Sequence, residues 1–426
     1  MAQKDGSESL WQQITRSLGP GFITGAADDD PSGIATYSQT GAMFGYSQLW
    51  TALFSYPFMT VMQEMCGRIG LVTGKGLSEV IRDNYSRKLL YGAVLLLLVA
   101  NIINIGADLG AMAAALMLLV PVPFVVLLTT VTLAMLALEV FVAYPAYARI
   151  LKYLTFSLLA YIVTAFVVKE DWGQILHSTL VPHISLTKEY VANIAAILGT
   201  TISPYLFFWQ ADEEVEEEIE GGKILDMGYG KPSIKPTDIR QMRVDTILGM
   251  FFSQVVMFFI IVTVAATLAV SGTHMIATAA DAAAALKPVA GNFAFVLFAL
   301  GIIGTGLLAV PVLAGSAGYA LSEALGWKVG LGKRFGQARG FYGVIVVATL
   351  VGLLVNFSSI APMTMLYYAA MLNGVLAPPL MILILCIANN SKILGEHTNS
   401  RFSNTLGIFI TGVMSVISLG LLYNLM

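Results

Sequence analysis

Gly19-Pro20-Gly21-Phe22-Ile23-Thr24-Gly25-Ala26-Ala27-Asp28-Asp29-Asp30-Pro31-Ser32-Gly33-Ile34-Ala35-Thr36-Tyr37 is the stretch whose reading decides the fold. An apolar segment is cut by three aspartates, a proline and a glycine, and then resumes. A charged side chain at the centre of a bilayer costs about 2.5–3.5 kcal/mol on insertion scales. A chain carries that cost only where the charge faces a cavity or a cation, so the chemistry of this protein is expected here.

The rest of the chain puts this segment in a membrane. Of 426 residues, 57% are hydrophobic and only 12% charged, with a mean hydropathy of +0.77. Ordinary globular domains carry about 25% charged residues. Apolar runs of about 20 residues recur along the sequence, the signature of a polytopic membrane protein. Residues 1–17 are polar and read as a cytoplasmic tail, with no cleavable signal pattern after them. Two cysteines, Cys66 and Cys386, make neither a disulfide framework nor a CxxC metal site.

Eleven spans are expected: 18–44 (broken near 28–33), 48–67, 88–118, 122–141, 148–168, 190–217 (broken near 200–205), 244–270, 292–318, 341–357, 361–388 and 405–425. Charge tests this number. With the N-terminus inside, 20 of the 23 basic residues fall on inner segments, and only Lys169, Lys188 and Lys287 lie outside. One miscounted span would scramble that pattern, so the positive-inside rule supports both the spans and the orientation. The expected product is a multi-pass cell-membrane protein with a cytoplasmic N-terminus and an external C-terminus. Segment 219–243 reads as a cytoplasmic linker, and the Ala-rich stretch 273–291 as a short external surface helix.

The first and sixth spans share an unusual feature. One is interrupted at Asp30-Pro31-Ser32-Gly33, the other at Gly199-Thr200-Thr201-Ile202-Ser203-Pro204-Tyr205. Proline removes a backbone donor and clashes with the preceding turn, so each helix should break. Freed backbone groups at membrane depth survive only where they line a cavity. Broken segments five spans apart place the second half in inverted orientation, as in secondary transporters with inverted repeats. The expected division is 18–168 for the first repeat, 190–388 for the second and 405–426 for an eleventh helix.

Gly19-Pro20-Gly21-Phe22 followed by Asp30-Pro31 resembles the opening of the natural resistance-associated macrophage protein (Nramp) metal transporters. That family carries Asp-Pro-Gly-Asn on its first helix and Met-Pro-His on its sixth. Thr73-Gly74-Lys75-Gly76-Leu77 and Asp108-Leu109 add to the likeness. The resemblance implies an all-α polytopic membrane protein with a LeuT-like 5+5 inverted repeat plus an eleventh helix, helices 1 and 6 being unwound at mid-membrane. The departures narrow it further. Gly33 stands where the family has asparagine, Ser203 where it has methionine, and Tyr205 and Gln210 where it has histidines; Ala111 replaces a glutamate. This combination is similar to the Nramp-related magnesium transporters, a divergent branch.

Read as chemistry, these substitutions favour hard ions. Thioethers select soft metals, whereas carboxylate, carbonyl and water oxygens suit Mg²⁺, Ca²⁺ and Mn²⁺. Mg²⁺ is usually held by one or two carboxylates plus several waters. The resemblance therefore implies Asp30 as the main ligand, with Ser203 and the carbonyls of Ala27 and Thr200 touching the ion directly or through water. Gly33 supplies volume, and Tyr205 completes the site. Divalent metal ions and the lipid bilayer are the expected partners, with no nucleic acid; the metal is substrate and no cofactor is expected. The oligomeric state stays open, a monomer being expected.

Several roles stay open. Asp28 and Asp29 point about 200° and 100° away from Asp30 on an ideal helix, and either extend a negative vestibule or cap the second half-helix. The acidic run Asp212-Glu213-Glu214-Val215-Glu216-Glu217-Glu218 is a solvated helix end or the lining of an inner exit. Asp108 is a relay or pairs with a polar neighbour. Glu64 and Glu139 read as structural, and Asn101, Asn104 and Asn373 as interhelical hydrogen bonders. All four histidines, His177, His183, His274 and His397, fall in expected loops, which argues against proton coupling. The alternative function is a proton-coupled transition-metal (Mn²⁺/Fe²⁺) importer of the ordinary Nramp type. A sodium-coupled amino-acid transporter of the same architecture meets three awkward aspartates at its break. No HExxH or GxSxG motif supports an enzyme.

Overall fold

Proline places the helix boundaries that organise this molecule. The computed structural model describes residues 19–142, 157–168, 170–272 and 275–425. The 1–17 tail, the start of the fifth span with Arg149 and Lys152, Lys169, and His274 lie outside the described residues. Helices of six or more residues are α1 (Pro20–Asp28), α2 (Pro31–Phe44), α3 (Trp50–Thr73), α4 (Leu77–Asn84), α5 (Arg87–Met117), α6 (Phe124–Phe141), α7 (Leu159–Val167), α8 (Trp172–Leu180), α9 (Lys188–Thr201), α10 (Pro204–Glu220), α11 (Pro236–Val264), α12 (Ala279–Ala284), α13 (Ala294–Leu325), α14 (Arg339–Val355), α15 (Pro362–Ala388) and α16 (Arg401–Leu425). Pro20, Pro31, Pro204, Pro236 and Pro362 all stand in first turns, where the missing N–H costs nothing.

Among the described residues, seven helical stretches are long and apolar enough to cross a membrane, involving α5, α6, α9 with α10, α11, α13, α15 and α16. The other expected spans fall short for identifiable reasons. The first is split into the 9-residue α1 and the 14-residue α2. The second, α3, carries Gln63, Glu64 and Arg68. The fifth lies partly outside the described residues, and α14 has 17 residues. Large apolar side chains face outward along these helices, including Leu95, Leu133, Val163, Phe166, Val347, Leu354 and Val416. Such an apolar exterior suits lipid, because a soluble monomer rarely exposes continuous patches of this kind.

Several boundaries differ from the sequence expectation, the second span running on to Thr73 and two others by more. The inner end of the seventh span begins at Pro236, inside the expected 219–243 linker, and the eighth runs on to Leu325. In both, polar residues on the extra turns (Arg240, Gln241 and Arg243; Ser322 and Glu323) hide the helix from a hydropathy reading. The Ala-rich segment does form the short α12, but Ala279, Ala282 and Ala283 are buried. His177 sits in α8 and His397 in a short 3₁₀ turn, so two of the four histidines are not in loops.

The broken helices are held by close backbone approach. α1 lies against α11 through Gly21, Gly25 and Gly249. A β-carbon on Gly21 would stand 2.6 Å from the Thr246 amide nitrogen, and one on Gly25 would collide with the Gly249 backbone. Small residues four apart are the usual means of tight helix contact in lipid. α9 meets α15 in the same way, through Gly199 and Gly374. α10 packs against α3, α13 and α1, bringing the two breaks together.

Candidate ion site

The site forms where the α1–α2 and α9–α10 breaks meet. Asp30 is the N-cap of α2: its Oδ1 accepts from the Gly33 amide at 2.6 Å and from the Ser32 hydroxyl at 2.7 Å. Asp before Pro at the first helical position is a strong helix-start signal. The capping bonds fix one carboxylate oxygen and leave Oδ2 facing the Tyr205 hydroxyl at 3.5 Å. Tyr205, in the first turn of α10, donates to the Ala27 carbonyl at 3.0 Å.

Across the junction, Ser32 Oγ and Thr200 Oγ1 stand 3.4 Å apart and tie the two breaks to each other. Ser203 occupies the N-cap position of α10 but turns back, donating to the Thr200 carbonyl at 2.6 Å and the Gly199 carbonyl at 2.8 Å. Its hydroxyl proton is therefore committed to backbone, and lone pairs are what it offers an ion. Gly33 is closely surrounded: a β-carbon there would meet the Asp28 carbonyl at 3.2 Å, the Tyr37 ring at 3.3 Å and Asp30 Oδ1 at 3.4 Å. Asp30, Ala27, Thr200, Ser203 and Tyr205 are all at most 1% exposed, and Gly33 is buried with them.

Asp28 and Asp29 turn elsewhere. Asp28 Oδ2 accepts from Ser253 Oγ of α11 at 2.5 Å, and Asp29 Oδ1 lies 3.4 Å from the same hydroxyl. Neither caps α2, because Asp30 does. Among the described residues, no three His, Cys, Asp or Glu side chains converge on one metal position. What the junction offers is one carboxylate within a set of hydroxyl and carbonyl oxygens. That donor set suits a hard cation that keeps much of its water.

For Asp108 the polar pairing is not observed. It lies fully buried on α5, and among the described residues neither of its oxygens has a hydrogen-bond partner. Its chain neighbours Ala107, Leu109 and Ala111 bring no polar group to it. The acidic run is solvated only in part: Glu217 is exposed, and Glu213 and Glu216 are half-buried. Asp212, Glu214 and Glu218 are at most 2% exposed. Glu216 is tied to the Tyr319 hydroxyl at 2.6 Å. Glu214, Glu217, Glu218, Asp238 and Asp245 line a cavity of about 250 Å³ between the starts of α1 and α11 and the end of α10.

Other polar residues of the spans have structural roles. Asn104 and Asn373 bond each other at 2.8 Å, and Asn101 donates to the Leu313 carbonyl at 2.9 Å. Glu139 accepts from Thr349 at 3.2 Å, and Glu64 bridges Arg68 and Arg243. Sequence reasoning passed over Ser32, although it stands inside the Asp-Pro-Ser-Gly break. It also passed over Ser253 and Ser316, which donates to the Tyr205 carbonyl at 3.1 Å; a lone serine in an apolar run carries no sequence signal.

Three comparisons agree with this architecture. Residues 21–424 match the family described as natural resistance-associated macrophage protein-like. A divalent metal cation transporter MntH of Caldanaerobacter subterraneus is 22% identical over 420 residues, covering 97% of this chain and 94% of that protein. The MntH of Yersinia enterocolitica is 26% identical over 419 residues, with 96% and 95% covered. The fold is similar to that of the Eremococcus coleocola manganese transporter, with a TM-score of 0.75 at 16% identity over 98% of this chain and 88% of the other. It is also similar to Mhp1, a nucleobase-cation-symport-1 family transporter, with a TM-score of 0.60 at 13% identity over 95% and 89%. With two broken helices meeting at mid-span on a LeuT-like fold, and a family match over nearly its whole length, the chain belongs to the Nramp family.

Proposed function

We propose that this chain is a secondary transporter for the uptake of divalent cations, carrying Mg²⁺ and Mn²⁺ as largely hydrated ions, uncoupled from protons. The observation that carries the reading is the Asp30 carboxylate, one oxygen fixed by capping and the other facing Tyr205, in a junction whose other groups are oxygens. Ser32, Thr200, Ser203 and Tyr205 are suited to hydrogen-bond the waters that Mg²⁺ retains. The Tyr205 hydroxyl donates to the Ala27 carbonyl and faces Asp30 Oδ2, so an ion held by these oxygens competes with it. With no proton gradient used, the membrane potential supplies about 2.3 kcal/mol per charge per 100 mV. The orientation favoured by the basic residues puts the 250 Å³ acidic cavity on the cytoplasmic side, and its carboxylates would draw cations outward from the site by local potential.

One observation favours the second reading, a proton-coupled transition-metal importer. A buried carboxyl without partners, as Asp108 is, is stable only when neutral or beside a cation. Flux in proteoliposomes with an internal pH dye separates the two. Mg²⁺ or Mn²⁺ uptake with a silent dye is expected; acidification that accompanies uptake, together with no response to Mg²⁺, supports the second reading.

A further inference from the structure

We propose a second divalent-cation site, formed by Asp212 of α10 and Glu323 of α13 over the backbone of Gly76, on the α4 side of the membrane. It deepens the transport reading and rests on it. Asp212 is 0% exposed and Glu323 3% exposed, and among the described residues neither oxygen of Asp212 nor Oε1 of Glu323 has a hydrogen-bond partner. Oδ1 of Asp212 and Oε1 of Glu323 lie 1.9 and 2.1 Å from the position a Gly76 β-carbon would take, so the two oxygens are at most about 4 Å apart. A β-carbon built on Gly76 would collide with Asp212 Oδ1 and Glu323 Oε1 alike, so both oxygens converge on one point where only glycine leaves room.

Two acceptors that face each other in a buried place repel unless something positive lies between them. The nearby basic groups are engaged elsewhere. Arg82 donates to the Glu323 carbonyl and to Glu79 Oε1, while Lys75 bonds Asp83. Glu323 Oε2 is held by the Glu79 amide at 3.1 Å, which fixes the carboxylate and leaves Oε1 aimed at Asp212. Adjacent ligands of an octahedral ion with bonds of about 2.0–2.1 Å lie about 3 Å apart, a span within the limit that the Gly76 geometry sets on the two oxygens. Waters fill the other positions, as is usual for Mg²⁺ and Mn²⁺.

The pair stands along the half-helix that leads away from the break. Asp212 stands eight residues along α10 from Pro204, about 12 Å from the break at 1.5 Å per residue. It precedes Glu214 and Glu218 of the acidic cavity on the same helix. Asp212 and Glu214 point about 200° apart around α10, so the pair and the cavity flank the same half-helix on opposite faces.

Mn²⁺ titration of the purified full chain, followed by the electron paramagnetic resonance of free Mn²⁺, tests the site. Asp212→Asn/Glu323→Gln should bind one Mn²⁺ fewer per chain than wild type and keep the Mn²⁺ that Asp30 holds, which also shows that the variant is folded. Asp30→Ala should keep one Mn²⁺, and adding both other substitutions should remove it. Unchanged stoichiometry in the Asp212→Asn/Glu323→Gln protein overturns the proposal and means that the pair merely shares a proton. Loss of all binding in Asp30→Ala overturns it as well. Absence of Mn²⁺ flux in the wild type would instead count against the transport reading, so the two failures are separable.

Discussion

At the scale of single residues, the account turns on how Asp30 divides its carboxylate. Oδ1 caps α2 and Oδ2 faces the Tyr205 hydroxyl at 3.5 Å, so one side chain both positions a helix and presents charge. Gly33 keeps the space beside it. Gly33→Asn would push a side chain among the Asp28 carbonyl, Tyr37 and Asp30. Mg²⁺ flux at subsaturating concentration is expected to fall about tenfold, equivalent to about 1.4 kcal/mol of lost ion stabilisation. An unchanged rate would mean that the hydration shell does not use this space. Tyr205→Phe removes the hydroxyl that donates to the Ala27 carbonyl and faces Asp30 Oδ2. The concentration for half-maximal Mg²⁺ uptake should drop about threefold, because one competing donor is lost, worth about 0.65 kcal/mol, inside the usual 0.5–1.5 kcal/mol of a hydrogen bond. A rise in that concentration would show that the hydroxyl serves the bound ion instead.

At the scale of elements, α1 is tied down by a partner from another helix. The Asp245 carboxylate of α11 accepts from the amides of Gly19 at 3.1 Å, Gly21 at 2.7 Å and Phe22 at 3.3 Å. These are donors that a helix start leaves unpaired, and an anion there is favoured by the dipole. Asp245→Asn should lower thermal stability by about 1–2 kcal/mol and raise amide hydrogen exchange over 19–22 relative to α11, since hydrogen bonds to charged groups are worth about 1.5–3 kcal/mol. Equal protection in the variant would contradict the tether. This element also shows where sequence reading stops. The breaks at Pro31 and Pro204 were legible because proline acts through its own chain. The Asp30 cap was legible in principle from Asp-Pro. Asp245 and Ser253 were not, because their partners lie more than 200 residues away in sequence. Glu323 was missed for another reason: it sits past the apolar part of α13, where hydropathy had already ended the span at 318.

At the scale of the whole molecule, composition and recurrent apolar runs made a multi-pass helical membrane protein legible, since spans are repeated many times and errors in one do not hide the rest. Interior chemistry is not repeated in that way. For Asp108 the sequence leaves a relay and a polar pairing both open, and it has no hydrogen-bond partner among the described residues; for the acidic run it leaves a solvated end and an inner lining open, and Asp212, Glu214 and Glu218 are buried. The orientation itself predicts that a C-terminal tag is reached by impermeant reagents on intact cells; labelling only after permeabilisation would reverse the topology. The central claim is that Asp30 passes hydrated divalent cations without protons. It is tested most directly by Mg²⁺ flux into proteoliposomes carrying an internal pH dye, measured for wild type and Asp30→Ala. The account predicts uptake with a silent dye in the wild type and loss of uptake in the variant. Strong Cd²⁺ uptake with acidification and no Mg²⁺ response, or undiminished flux in Asp30→Ala, would contradict it.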